Sequence, residues 1–266
     1  MDSQQDASPL HGTASVRAAI RAGAIGGNTA GLAPGYAQAN VAIVPAALAD
    51  DFAAFCAANP RACPLLATGR PGDPALPALG EGIDIRTDLP RYRVYRDGAP
   101  AGEATDILDL WRDDFVTFAI GCSFTFEHAL LAEGVPLRHV AQGRNVAMYR
   151  TDVATVPAGP FGGPLVVSMR PFAPADADRA ARISGRFARM HGAPIHRGDP
   201  AALGISDLAR PDYGEAVDVP ADEVPLFWAC GVTSQTALQA ARLPLFIAHA
   251  PGCMLVTDHP HDAYLG

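Results

Sequence analysis

Apolar positions along the chain fall in short runs broken by Gly, Pro, Asn and Asp, which predicts many short elements and no long helices. TASVRAAIRA (13–22) reads as a short helix opened by a Thr or Ser cap, and IGGNTAGLAPGYAQAN (25–40) as a loop. VAIVP (41–45) predicts a strand, followed by a helix over Ala46–Ala58 that stops at Asn59-Pro60. A second strand-to-helix unit runs from Phe115–Ile120 through Gly-Cys-Ser into a helix ending near Gly134. The same plan recurs at Leu226–Ala229, a Cys-Gly turn and a helix from Ser234. Each of these two units aims the free N–H groups of a helix N-terminus beyond the carboxyl end of a strand, where ligands bind in an open α/β sheet. RYRVYR, NVAMYR, LVVSMR and LFIAH are further strand candidates, and residues 174–190 predict a helix.

The turn-rich stretch 136–212 divides this pattern. It predicts a smaller α+β subdomain set between two parts of a main α/β domain, 13–135 and 213–266, with a disordered N-terminus at 1–12. A hydrophobic content of 49% over 266 residues is ample for a buried core. The formal charge of -8 argues against nucleic acid and anionic membrane surfaces as partners. No run of the chain is long and apolar enough to span a bilayer, and residues 1–10 lack the pattern of a secretory signal, so the expected location is cytoplasmic. Five cysteines without a paired short spacing predict free thiols. All 20 basic residues are arginines. A chain without lysine cannot form the Schiff base of a conventional pyridoxal phosphate site or a Walker A phosphate loop.

Candidate chemistry concentrates in a few turns. GCSFTFE places Cys122, Ser123 and Glu127 at a strand-to-helix junction, where Ser123 and Glu127 suit a helix cap and first-turn acid as well as catalysis, and where the helix end could lower the Cys122 pKa. HGAPIHRGDP brings His191, His196 and Asp199 into one constrained loop, fit for acid–base work; the spacing is not that of a known zinc motif. No metal ligand set is therefore assigned, although a divalent ion is compatible with these residue types. Arg170 in VVSMRP could grip a carboxylate at two points or form an internal salt bridge. Tyr36, Gln38 and Asn40 alternate along PGYAQAN and would share one side of an extended segment. Cys230, Thr233 and Ser234 line the second turn, His249 and Asp258 sit near neighbouring loops, and His259 and His261 read as tail residues.

Taken in order, GNTAGLAPGYAQAN, DFAAFCAANPRACPLL, DIRTDLPRYRVY, DDFVTFAIGCSFTFE, VVSMRP, HGAPIHRGDP, EVPLFWACGVTSQTA and AHAPGCMLVTD resemble the hydro-lyase family that includes D-glutamate cyclase, over about residues 14–258. The resemblance implies a two-domain α/β fold, a three-layer main domain with a two-layer α+β subdomain, and an enzyme acting on a small amino or hydroxy carboxylic acid. A mitochondrial relative cyclises D-glutamate to 5-oxo-D-proline with loss of water. On that reading Arg170 and the helix ends hold carboxylates, His191 or His196 is the base, and Glu127 or Asp199 helps water leave. Two other readings stay open. Gly121-Cys122-Ser123-Phe124-Thr125 mimics the nucleophile elbow of an acyl or amide hydrolase, with Ser123, Asp199 and His249 in order. A carboxylate-binding protein without turnover is the other. No cofactor is required by the sequence, and a homo-oligomer is compatible with it.

Overall fold

The protein is described here from a computed structural model covering residues 12–266; apart from Gly12, the N-terminus expected to be disordered lies outside the described residues. Helices and two sheets alternate, a mixed α/β fold. The large sheet contains β1 (Tyr36–Pro45), β2 (Leu65–Thr68), β3 (Tyr92–Arg96), β4 (Ala99–Ala104), β5 (Phe115–Gly121), β10 (Phe246–His249) and β11 (Leu255–Pro260). The small sheet contains β6 (Ala147–Ala154), β7 (Pro164–Phe172), β8 (His196–Arg197) and β9 (Val224–Ala229). The α-helices are α1 (Thr13–Arg21), α2 (Ala49–Ala58), α3 (Phe124–Ala132), α4 (Arg138–Ala141), α5 (Pro174–Gly185) and α6 (Val232–Ala240). None of them is long and apolar enough to cross a membrane.

Strand order is β2-β5-β1-β10-β3-β4 in the large sheet, with β11 also on β1, and β6-β7-β9-β8 in the small one. The pairings are antiparallel throughout, so the carboxyl ends of the strands do not all line one edge as they do in a parallel sheet. The reason lies in the two similar strand–turn–helix units. The chain leaves β5 in the large sheet, passes through α3 and enters β6 in the small sheet; it leaves β9 in the small sheet, passes through α6 and enters β10 in the large one. Each unit crosses between sheets instead of returning to its own, so neither builds the parallel βαβ pairing that a crossover within one sheet would give. The small sheet also takes β9 from beyond residue 212, because β9 pairs with β7 over six residues, Val167↔Ala229 to Phe172↔Val224.

The large sheet is buried on both faces, which explains why β1 and β5 read as continuous apolar runs rather than alternating ones. One face packs Phe52 and Phe55 of α2 against Phe118 and Phe161, with the Phe52 and Phe118 rings edge-on at 4.9 Å. The other packs Val41, Ile43, Phe115 and Ile247 against Leu89 and Tyr92. Strand β7 alternates instead. Val167 and Met169 face one core with Tyr149 and Phe227, while Ser168 and Arg170, two residues apart, share the opposite face.

Several local expectations are revised. Strand β1 begins at Tyr36 and takes the end of the predicted loop, because Tyr36, Gln38 and Ala39 pair with β11. Helix α1 has no side-chain cap, since the Thr13 hydroxyl donates to Asp258 instead. Helix α6 begins at Val232, ahead of Ser234. His259 and His261, read as tail residues, are built into the fold, as is Asp258. Asp258 and His259 belong to β11, Asp258 receives the buried Arg17 guanidinium at 2.7 Å, His259 Nδ1 lies 3.0 Å from the Tyr264 hydroxyl, and His261 is buried with its ring 4.6 Å from that of His128.

Candidate active site

The two sheet crossings meet at one cavity. Its walls include Cys122, Ser123 and Phe124 from the first crossing and Cys230, Gly231 and Val232 from the second. Asn40, Asn145, Met148, Ser168, His191 and His249 also line it. Register explains Asn40. It lies opposite Ile120 near the end of β5, and its amide donates to the Gly121 carbonyl at 2.7 Å. A methyl group added at Gly231 would sit 2.5 Å from that same amide nitrogen, so only glycine lets the second crossing approach the first this closely. Gly231→Ala is therefore expected to displace Asn40, costing about 1–3 kcal/mol; adding Asn40→Ala should restore stability in denaturant titrations if overpacking is the cause.

His191 is buried, with a backbone φ of 78° in the left-handed region. Its Nδ1 lies 2.8 Å from the Arg61 carbonyl oxygen. A carbonyl only accepts, so Nδ1 carries the proton and Nε2 the lone pair. Burial pushes the His191 pKa down to about 4, with the Arg170 charge acting in the same direction and the Arg61 and Gly121 carbonyls opposing it. The ring is neutral near pH 7 and able to accept a proton. His249 is also buried and neutral, lowered by burial to about 4, but its ring is engaged by Val41 and Gln235.

Beneath the cavity lies a buried ion pair. Arg170 is 1% exposed; its Nε donates to Glu127 Oε1 at 2.9 Å, its Nη1 to Ser168 Oγ at 3.0 Å and its Nη2 to Ser123 Oγ at 3.0 Å, with a second Nη2 contact to Glu127. The guanidinium packs against the stacked rings of Phe126 and Trp228, 5.1 and 5.2 Å from their centroids. Although burial disfavours its charged form, Arg170 and His139 hold the Glu127 carboxyl down at about 2, so it is ionised at neutral pH.

The structure sorts the sequence candidates. Cys122, Ser123, Asn40, His191, Cys230 and His249 come together at the cavity. His196 and Asp199 do not: His196 sits on the edge strand β8 with Nε2 2.7 Å from the Asp199 backbone oxygen, and the Asp199 side chain accepts from Ala201 N. Their positions follow from pairing, since β8 joins β9 opposite Phe227 and Leu226. Arg170 forms the internal salt bridge, with Glu127 as its partner, and neither is a cavity wall. Tyr36 is exposed, Gln38 is bonded to Thr29, and the Thr233 hydroxyl accepts from Val166 N. Cys122 is not activated. Burial raises it to about 12 despite the nearby Phe124 N–H, and Cys230 to about 11 despite that of Val232, so the desolvation of each thiolate exceeds the help of its helix end. The Ser123, Asp199, His249 hydrolase triad is not assembled, because Ser123 Oγ faces Arg170 and Asp199 lies at the β8 turn. Ser123 precedes α3 without a side-chain cap bond for the same reason. Sequence reading missed Ser168, a polar residue inside the apolar run LVVSMR, two positions before Arg170; that spacing along a strand was the available signal. Asn145 and Met148 carried no such signal. Among the described residues no group of three or more His, Cys, Asp or Glu side chains is placed to hold a metal ion.

Comparison with known proteins agrees with the sequence resemblance. A family model described as D-glutamate cyclase matches residues 116–258, a span that holds both crossings and the serine–arginine cluster. "Putative hydro-lyase Bpet2233" of Bordetella petrii is 61% identical over 94% of this chain and 95% of its own. "Putative hydro-lyase" of Verminephrobacter eiseniae is 60% identical over 92% of this chain and 90% of its own, and "Putative hydro-lyase RL2444" of Rhizobium johnstonii 60% over 94% and 93%. With the family model matching more than half its length and such relatives along nearly all of it, the chain belongs to the D-glutamate cyclase family.

Proposed function

We propose that this protein is a dehydratase of small carboxylic acids whose reaction is the cyclisation of D-glutamate to 5-oxo-D-proline. The observation that carries this reading is the convergence, in one cavity, of the N-terminal turns of α3 and α6, the hydroxyls of Ser123 and Ser168, and a neutral histidine. Helix N-termini and hydroxyl donors suit carboxylates, and glutamate brings two of them.

In the cyclisation the amine nitrogen attacks the side-chain carboxyl carbon. A C–N bond forms, a C–O bond breaks, and the two protons lost by the ammonium leave with the carboxylate oxygen as water. No net proton is taken up, so one group that accepts a proton and returns it is sufficient. His191 Nε2 is that group. A bound carboxylate beside the ring favours its charged form and raises its affinity for the proton in transit. Cys122 and Cys230, both held as thiols, wall the cavity without competing as bases.

The test is product analysis by NMR with D-glutamate, L-glutamate and a panel of 2- and 3-hydroxy acids, with and without divalent ions. Appearance of 5-oxo-D-proline and water from D-glutamate is expected. Turnover of a hydroxy acid alone would overturn the cyclisation and keep the dehydratase class; no turnover across the panel would overturn both.

A further inference from the structure

We propose that Arg170 is a positioning residue that sets the polarity of the site. Its guanidinium occupies a lone pair on Ser123 Oγ and another on Ser168 Oγ, so both hydroxyls must present their protons to the cavity, where they grip the two oxygens of one substrate carboxylate. This rests on the carboxylate reading above and names the groups that would carry it.

The argument is one of counting. A guanidinium can only donate, and a serine hydroxyl has one proton and two lone pairs. Arg170 Nη1 and Nη2 each stand 3.0 Å from one of these oxygens, which makes both serines acceptors toward Arg170. Their protons then need acceptors of their own. For Ser123 the described residues offer only Glu127 Oε1 at 3.5 Å, too long for a well-formed bond. Ser168 Oγ has no other hydrogen-bond partner among the described residues. Both side chains line the cavity, one from the crossing after β5 and one from the middle of β7, so a single buried cation aligns donors contributed by the two sheets. Because Glu127 neutralises Arg170, discrimination comes from two fixed donors and not from a net charge. A carboxylate offers two acceptors. A primary amide of the same shape offers one acceptor and an NH2 group that would meet a hydroxyl proton, and such a mismatch is strongly rejected.

Calorimetric titration with malonate, D-glutamate and 5-oxo-D-proline, each beside its amide, tests this on the wild type and on variants shown to unfold cooperatively. The wild type should prefer carboxylate over amide by about 30-fold or more, and Ser123→Ala and Ser168→Ala should each weaken carboxylate binding about tenfold with little effect on the amides. The double variant Arg170→Met/Glu127→Gln removes both charges at once and leaves the hydroxyls free to turn. Its carboxylate preference should fall to about threefold or less, whereas a purely structural Arg170 would leave that ratio unchanged. If this variant does not fold, Ser123→Ala/Ser168→Ala decides, and an unaltered ratio there overturns the proposal. A wild type that binds none of these carboxylates, or does not distinguish them from amides, overturns it as well. Carboxylate-selective binding without 5-oxo-D-proline formation would count against the cyclisation alone.

Discussion

His191→Asn is expected to lower turnover by about a hundredfold or more while the protein stays folded. Asparagine tolerates the left-handed backbone conformation required at this position, where φ is 78°. Its amide can still donate to the Arg61 carbonyl that now accepts from Nδ1. What it lacks is a lone pair able to take a proton in this pH range. His196→Ala, on the edge strand and away from the cavity, should keep wild-type turnover. Steady-state kinetics on both variants, with unfolding midpoints as a check on folding, separate the two histidines that the sequence could not. Wild-type turnover in a folded His191→Asn protein would remove this residue from the chemistry.

Acid should unfold the protein steeply. His191 and His249 each have a folded-state pKa pushed down by burial to about 4 from an ordinary 6.5. Between those values the unfolded chain binds protons that the folded one refuses. The stabilisation is therefore fully present above about pH 6.5 and is lost as pH falls toward 4. A shift of this size corresponds to about 3 kcal/mol for each ring, or about 6 kcal/mol together, comparable with the whole stability of an ordinary domain. Glu127, held down to about 2 by Arg170 and His139, withdraws its own contribution only below the ordinary glutamate pKa and so sharpens the end of the transition. His261, lowered by burial and by His128, adds a share of the same sign. Denaturant titrations at several pH values should show unfolding free energy falling by roughly 2–3 kcal/mol per pH unit near pH 5, the slope of about two protons taken up. His191→Asn should remove about one proton from that slope. A flat profile from pH 7 to pH 4.5 would show that the two imidazoles are hydrated in the folded state.

Local structure was legible from the chain alone, because it depends on neighbours a few residues away. The apolar runs of β1 and β5, the helix stop at Asn59-Pro60 and the two strand–turn–helix units were all legible, and the motifs were sufficient to indicate the family. Cys122, Ser123, Cys230 and His191 stood out because each sits in a turn whose geometry is set within a few residues. Tertiary structure decided the rest. The two units cross between sheets, and this makes the pairings antiparallel and brings two helix N-termini to one cavity; no local pattern encodes which sheet a strand will join. Arg170 looked equally fit for a substrate and for a salt bridge, and its choice depends on Glu127, 43 positions earlier. His191 and His196 looked alike in one loop, yet pairing of β8 with β9 holds one at an edge while packing buries the other. The Cys122 thiol illustrates the physical reason most directly. Its sequence neighbours supply the helix end that would lower its pKa, whereas the burial that raises it to about 12 comes from the whole fold and outweighs them.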